Sequence, residues 1–252
     1  MKKLIAIFAI LLLTGFQVKP PAITWENVDD GLSLVHYVPP GHPYSEIIIL
    51  RIDPAKYNFN LFNGDAEESK QPTAGQWGRE HKQISVINAG MYGMNNESVG
   101  YMRNGTKTLN GHLSDWNSML VFGAINGNNT SIQLLDLTVQ EFAYWRYRYT
   151  AFIQGIRMVT CDQQNTWKQS PELWSMAAFG MDKSGNALMI CSQSRFTVHD
   201  FIDILLQAPV DLYNLMYLEG GGAEGFYLNC NGFEIETNRF YGIPNVIGVT
   251  KK

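Results

Sequence analysis

The sequence has few charged residues and no marked excess of either sign. Charged residues make up only 17% of the 252-residue chain, and the formal net charge is −4, whereas soluble domains usually contain about 25% charged residues. Because no basic excess is available to neutralise phosphates, we expect no nucleic-acid partner. The hydrophobic content of 45% argues against intrinsic disorder, which requires low hydrophobicity and high net charge.

Hydrophobic runs long enough to cross a membrane are missing. The longest run, residues 4–13, has ten residues, whereas a membrane-spanning helix needs about 20, so we expect no membrane span. This run follows Lys2 and Lys3 and precedes small and polar residues, a pattern more typical of a cleaved secretory signal peptide than of a buried N-terminal helix. We expect residues 1–20 to be removed and residues 21–252 to form one exported domain, periplasmic or extracellular.

Cysteine is scarce, and the usual metal and nucleophile motifs are missing. Cys161, Cys191 and Cys230 form no CxxC pair, and an odd number leaves at least one thiol without a partner in the chain. Buried free thiols, one disulfide and a catalytic thiol all stay open as interpretations. The histidines show no metal-ligand spacing and no GxSxG motif occurs, so the sequence requires no cofactor. A divalent cation is compatible with it.

Strand-like segments dominate the rest of the chain. Short β-branched and aromatic runs bounded by Pro and Gly predict strands at residues 32–38, 46–52, 57–62, 84–87, 176–181, 187–191 and 212–218, and a hairpin over residues 226–235. Helices are predicted to begin at Thr73, Thr138 and Thr197, where capping patterns precede apolar residues. Without regular alternation of strands and helices, this pattern predicts an α+β fold: a single domain with a mixed β-sheet core flanked by helices.

The segment at residues 216–224 is the strongest candidate for a site. An apolar strand ends there on Glu219, which Gly220, Gly221 and Gly222 follow, with Glu224 close behind. Glycine allows close approach of a ligand to exposed N–H groups, so these residues predict a binding loop beside a carboxylate. The alternative is a flexible turn with a solvated glutamate. No Lys-Ser or Lys-Thr follows the glycines, which excludes a Walker-type phosphate loop.

Two further segments carry polar residues in apolar surroundings. Asn88 ends the strand at residues 84–87 and offers a donor and an acceptor for a sugar hydroxyl or phosphate, or else it holds its own turn. Arg157 is a lone cation in an apolar stretch and usually requires an anionic partner: Glu219, a structural carboxylate, or a ligand phosphate. Arg195 raises the same question, and Gln154 lies three residues before Arg157.

Taken together and in order, these segments resemble the phosphodiester glycosidase family. The resemblance rests on Asn-Ala-Gly-Met-Tyr at residues 88–92, Gln-Gly at 154–155, Ala-Phe-Gly at 178–180 and Leu-Glu-Gly-Gly at 218–221, and it extends over residues 45–249. The chain departs from the family pattern at residues 156–157, where Ile-Arg replaces Gly-Pro, and at Glu219, where aspartate is common.

This resemblance implies an exported hydrolase that cleaves a sugar 1-phosphodiester or a related glycoconjugate. Glu219 would act as nucleophile or base, Asn88 would orient a sugar hydroxyl or water, and Arg157 would stabilise the phosphate. The remaining candidates would bind the carbohydrate or sugar-phosphate ligand: Gly220, Gly221, Gly222, Glu224, Arg195 and Gln154.

Two other functions fit the same residues. An exported carbohydrate-binding protein could share the fold without hydrolysing its ligand, particularly if Arg157 fills the cleft. An envelope structural or interaction protein could use the aromatic stretch at residues 144–149 as its interface. Convergence of Glu219, Asn88 and an arginine on one site favours an enzyme or a binding protein over the structural role.

Overall fold

The structure is a computed structural model that describes residues 23–64, 70–127 and 130–252. The predicted signal peptide lies outside the described residues, so its prediction stays open. No helix in the described ranges has the length and apolar character needed to cross a membrane.

The described residues form sixteen strands and three helices. In chain order the elements are β1 Glu26–Asp29, β2 Leu32–Tyr37, β3 Ile47–Ile52, β4 Tyr57–Asn63, α1 Ala74–Glu80, β5 Ser85–Asn88, β6 Met102–Asn104, β7 Lys107–Asn110, β8 Asn117–Ala124, β9 Ile132–Asp136, α2 Phe142–Trp145, β10 Tyr149–Val159, β11 Trp174–Asp182, β12 Ala187–Phe196, α3 Val198–Gln207, β13 Leu212–Gly220, β14 Phe226–Cys230, β15 Phe233–Glu236 and β16 Asn245–Lys251.

The strands build two packed sheets. The large sheet has eleven strands, ordered β1-β2-β3-β12-β11-β13-β10-β6-β7, with β8 joined to β10 and β9 joined to β8. The small sheet has five strands, ordered β15-β14-β5-β16-β4. The main core lies between them and contains buried side chains from both sheets; for example, the rings of Phe59 and Phe179 meet with centroids 6.3 Å apart. Burial of the two inner faces therefore holds the sheets together.

All the predicted strands are present, but the expected mixed sheet with flanking helices is only partly correct. Every strand pairing in the described ranges is antiparallel, and the fold is mostly sheet. The β12-α3-β13 segment is the kind of crossover that usually joins parallel neighbours. Here β11 lies between β12 and β13 and pairs antiparallel with each, so no parallel pairing results.

Two of the three predicted helix starts are confirmed. Thr73 caps α1 in a full capping box with Gln76, and Thr197 caps α3, whose buried face packs on the outer side of the large sheet. The start at Thr138 is wrong: α2 begins at Phe142, and its preceding residue makes no side-chain cap. The Thr138 hydroxyl instead donates a hydrogen bond to Asp136 at 2.6 Å. Its side chain therefore stabilises a local turn and does not cap a helix.

Candidate active site

Glu219 lies where the core between the sheets reaches the surface. It occupies the second-last position of β13 and pairs across the strands with Ala177 of β11. Cross-strand partners share one face of a sheet, and Ala177 belongs to the core between the sheets. Glu219 therefore projects at the rim of that core and is partly buried there.

The surroundings of Glu219 shift the pKa of its carboxyl group into the neutral range. The N–H of Gly220 donates to its Oε1 at 3.0 Å, and the N–H of Tyr92 also donates to the carboxylate. Burial raises the pKa of Glu219, the two N–H groups oppose this shift and the charge of Glu224 adds to it, so that the pKa is about 7. Glu219 is therefore a stronger base than an ordinary carboxylate when ionised, and it changes charge within the neutral range.

The glycine loop connects the two sheets. β13 ends in the large sheet at Gly220, and β14 begins in the small sheet at Phe226. Gly221 and Gly222 adopt φ values of +71° and +97°, a region that favours glycine. A side chain on Gly220 would overlap the hydroxyl of Tyr217 and the carbonyl of Ser175. The tight crossover between the sheets therefore requires glycine at these positions. A flexible turn would not require it.

The N–H groups of this loop already have acceptors inside the protein. Gly220 donates to Glu219, Gly221 donates to the carbonyl of Ser175 at 3.1 Å, and Gly222 donates to Oε2 of Glu224 at 2.9 Å. In this arrangement the loop orients the two glutamates. A phosphate could use the same N–H groups only by displacing these bonds, so their predicted role in ligand binding stays a prediction.

Asn88 fastens the glycine loop to the small sheet. Its side-chain oxygen accepts from the N–H of Gly225 at 2.7 Å, and its amide nitrogen donates to the carbonyl of Ala223 at 3.1 Å. Asn88 is fully buried at the end of β5, so the structure shows a loop-positioning role. Its predicted direct action on a sugar hydroxyl or water stays a prediction.

Arg157 does not pair with Glu219. Its guanidinium lies 2.5 Å from Oδ1 of Asp136 and donates to the hydroxyl of Thr138 at 2.9 Å. Of the three partners considered for this arginine, the structure shows the structural carboxylate. Burial would raise the pKa of Asp136, but hydrogen bonds from Thr138, and after them the ion pair with Arg157, hold it below its usual value. The catalytic role predicted for Arg157 is therefore without geometric support and stays a prediction.

Gln154 and Arg195 differ in how accessible they are. Gln154 is buried and clamps two loops: its oxygen accepts from the N–H groups of Tyr101 and Ser114, and its nitrogen donates to the Ser114 carbonyl. Arg195 is exposed near the end of β12 and has no ion-pair partner within the described ranges. Since β12 and β13 flank β11 and end at the same edge, Arg195 lies at the sheet edge at which β13 carries Glu219, and its predicted role in ligand binding stays a prediction.

Two tyrosines at the site were missed by sequence reasoning. Tyr92 supplies an N–H to Glu219, and burial together with the charges of Glu219 and Glu224 raises the pKa of the Tyr92 hydroxyl to about 12. The same causes raise the pKa of Tyr217. Tyr92 belongs to the Asn-Ala-Gly-Met-Tyr motif and could have been found there. Tyr217 is a single aromatic residue in an apolar strand and gives no such signal.

The three cysteines are all free, and no disulfide forms. Cys191 is fully buried, and burial raises the pKa of its thiol to about 12, which disfavours the reactive thiolate. Across the described parts of the chain, no group of three or more His, Cys, Asp or Glu side chains is placed to hold a metal ion.

A family model for phosphodiester glycosidases matches residues 81–250, a range that contains Glu219, Asn88 and the glycine loop. The chain belongs to the phosphodiester glycosidase family. No curated protein sequence matches the chain.

Solved structures share the fold of this family member at low sequence identity. A hypothetical protein from Synechocystis superposes with a TM-score of 0.68 at 11% identity, over 92% of this chain and 64% of that one, so the chain spans less than two thirds of that protein. The catalytic domain of zebrafish N-acetylglucosamine-1-phosphodiester alpha-N-acetylglucosaminidase superposes with a TM-score of 0.62 at 11% identity, over 93% and 85%. At this identity the likeness shows the fold alone.

Proposed function

We propose that this protein is an exported glycosidase that hydrolyses a sugar 1-phosphodiester, with Glu219 as the catalytic carboxylate. The observation that carries the proposal is the position of Glu219: a partly buried carboxylate on an exposed rim, held by two N–H groups, with a pKa of about 7. Such a group suits nucleophilic or general-base catalysis near neutral pH.

The chemistry needs little help at the leaving group. When a sugar 1-phosphodiester is hydrolysed, the bond between the anomeric carbon and the phosphate oxygen breaks, and the phosphate monoester departs as an anion with the bonding electrons. Glu219 would either take a proton from the attacking water or attack the anomeric carbon itself. Arg195, which is exposed near the end of β12 at the same edge of the sheet, would stabilise the departing phosphate.

Glu224 would act through the electrostatics of the site. It is buried, and the N–H of Gly222 fixes its carboxylate. Its charge raises the pKa of Glu219, which strengthens Glu219 as a base. Glu224 is therefore placed to tune Glu219, and it is the second candidate for direct chemistry.

The first test is hydrolysis of a panel of sugar 1-phosphodiesters that differ in the sugar, with and without divalent cations. We expect the protein to release free sugar and Glu219→Gln to lower kcat by at least about a thousandfold, since it removes the carboxylate proposed as nucleophile or base. Glu234→Gln, an exposed glutamate on β15, is the matched control and should retain full activity.

Two results would count against this proposal. Full activity of Glu219→Gln would remove Glu219 from the mechanism. If the folded protein releases no sugar from any substrate yet binds one of them, the non-catalytic carbohydrate-binding function replaces hydrolysis.

Export is a separate part of the proposal and rests on residues 1–20, which lie outside the described ranges. When the full chain is expressed in a Gram-negative host, the protein recovered from the periplasm should begin near residue 21 on N-terminal sequencing. Recovery of the intact N-terminus from the cytoplasm alone would contradict export.

A further inference from the structure

A groove lies on the large sheet, away from Glu219. It has a volume of about 560 Å³ and lies between the β6-β7 hairpin and the chain that joins α2 to β10. Its polar lining includes three threonines, two arginines and a tyrosine: Thr106, Thr108, Thr150, Arg103, Arg146 and Tyr147. Volumes of this size accommodate small ligands or one part of a larger one.

Positive charge is concentrated around this groove. Arg103 and Arg146 line it, Lys107 is exposed on β7 beside the lining threonines, and Arg148 lies between Tyr147 and Thr150 in the chain. None of the four cations makes an ion pair with a carboxylate within the described ranges. Because the whole chain has a net charge of −4, this local excess differs from the rest of the surface and favours an anionic ligand.

The arginines stack on aromatic rings instead of pairing with carboxylates. The guanidinium of Arg146 lies 5.0 Å from the ring centroid of Tyr147, and that of Arg148 lies 3.4 Å from the centroid of Tyr144. A stacked guanidinium is oriented by the ring while N–H groups on its edge can reach a carboxylate or phosphate. In Arg148 one nitrogen, Nη1, already donates to the carbonyl of Tyr144, so the other N–H groups would make that contact. Arg103 stacks on Phe152 and donates to the carbonyls of Arg146 and Tyr149, which fixes its charge next to the groove.

We propose that this groove binds an acidic oligosaccharide, with carboxylate or phosphate groups on Arg146 and on Arg148 beside the groove, hydroxyls on Thr106 and Thr108, and a sugar ring against Tyr147. The preference for a glycan rests on the proposed function, whereas the preference for an anion rests on the charges alone. A nucleic acid would need a longer basic surface than these four cations provide.

The groove and the Glu219 site lie on opposite faces of the large sheet. Arg103, which lines the groove, pairs with Phe152 of β10, and Phe152 belongs to a cluster on the outer face. Glu219 pairs with Ala177, which belongs to the core between the two sheets. The groove is therefore a site apart from Glu219.

Binding is measured by calorimetry with the Glu219→Gln protein, so the result does not depend on turnover. The probes are hexagalacturonate and phosphorylated maltohexaose, with neutral maltohexaose as the uncharged comparison. We expect at least one acidic probe to bind more tightly than the neutral one, and the double variant Arg146→Gln, Arg148→Gln to weaken it by about tenfold or more. The matched control is Lys82→Gln, Lys168→Gln, which removes two exposed cations elsewhere and should bind normally.

A second variant tests the sugar contacts without changing charge. Thr106→Val, Thr108→Val keeps the shape of both side chains, and we expect it to weaken binding of the same probe. The proposal is overturned if the acidic probes bind no better than maltohexaose, if the double arginine variant binds them normally, or if a DNA duplex competes for the groove with equal affinity.

Discussion

The proposed reactivity of Glu219 depends on two opposing effects on its pKa. The core beneath it disfavours a charge, while the N–H groups of Gly220 and Tyr92 favour one. A fully exposed glutamate would be ionised at any physiological pH and would be a weak base. A fully buried one without donors would stay neutral and could not attack. The balance leaves Glu219 able to gain or lose a proton near neutral pH.

Activity should therefore rise with pH through the neutral range. Below a pH of about 7 Glu219 is protonated and serves as neither base nor nucleophile, and above it the carboxylate is ionised. We expect kcat/KM to increase with pH with an apparent pKa near 7, measured on the best substrate of the panel. A profile that falls over this range would assign Glu219 to proton donation instead.

The same pKa shift affects stability. The folded protein binds the Glu219 proton more tightly than the unfolded chain, because the pKa rises from an ordinary value of 4.5 to about 7. This contribution is fully present at low pH and is lost as pH rises through 7. Relative to the parent, Glu219→Gln should gain about 1 to 3 kcal/mol in the free energy of unfolding between pH 5 and pH 8.

Urea unfolding at the two pH values measures this gain, with Glu234→Gln as the control. An equal difference at both pH values would mean that Glu219 has an ordinary pKa in the folded protein.

At the level of secondary-structure elements, the glycine loop positions the two glutamates relative to the two sheets. It carries the chain from β13 to β14, and Asn88 of β5 fastens it with two hydrogen bonds. The loop then presents Glu219 on one side and Glu224 on the other. Asn88 and Glu219 are far apart in sequence, so only the pairing of β5 with β14 brings them to one place.

Replacing Asn88 tests this fastening. Asn88→Ala leaves the N–H of Gly225 and the carbonyl of Ala223 buried without their partner, so we expect the free energy of unfolding to fall by about 2 to 3 kcal/mol. Activity should fall as well, through displacement of the loop. Asn229→Ala, at an exposed position of β14, should change stability by less than about 0.5 kcal/mol. A stable but inactive Asn88→Ala protein would instead favour direct contact with the substrate.

How much of the site could be read from the sequence depended on where each side chain finds its partners. Glu219 and its glycines were predicted because local sequence determines strand ends and turns. The partner of Arg157 was left open because Asp136 comes close only through the pairing of β8 with both β9 and β10. The acceptor that Ser175 offers to the N–H groups of Gly221 and Gly222 was also unpredictable, since Ser175 lies more than forty residues away.

At the level of the whole molecule, the strands were predictable and their arrangement was not. Alternation and turn residues mark individual strands, but the insertion of β11 between β12 and β13 depends on contacts distant in sequence. This insertion removes the parallel pairing that the β12-α3-β13 order suggested. The expected mixed sheet is thus replaced by two antiparallel ones.

Cys191 should report opening of the whole molecule. It is fully buried, and its pKa of about 12 leaves almost no thiolate, whereas Cys161 and Cys230 are only partly buried. We expect a thiol reagent to label Cys161 and Cys230 in the native protein and Cys191 only on unfolding, as followed by mass spectrometry. Labelling of Cys191 at the rate of the other two thiols would contradict the closed core.

The crossover between the sheets links the distance between Glu219 and Glu224 to the packing of the core. Glu219 belongs to β13 of the large sheet, while Glu224 lies two residues before β14 of the small sheet. The repulsion between the two carboxylates therefore depends on the distance between the two sheets. A core substitution that lets the sheets drift apart, even one far from the rim, would relax this repulsion and lower the pKa of Glu219. The pH dependence of activity would then change when core packing changes the distance between the two sheets.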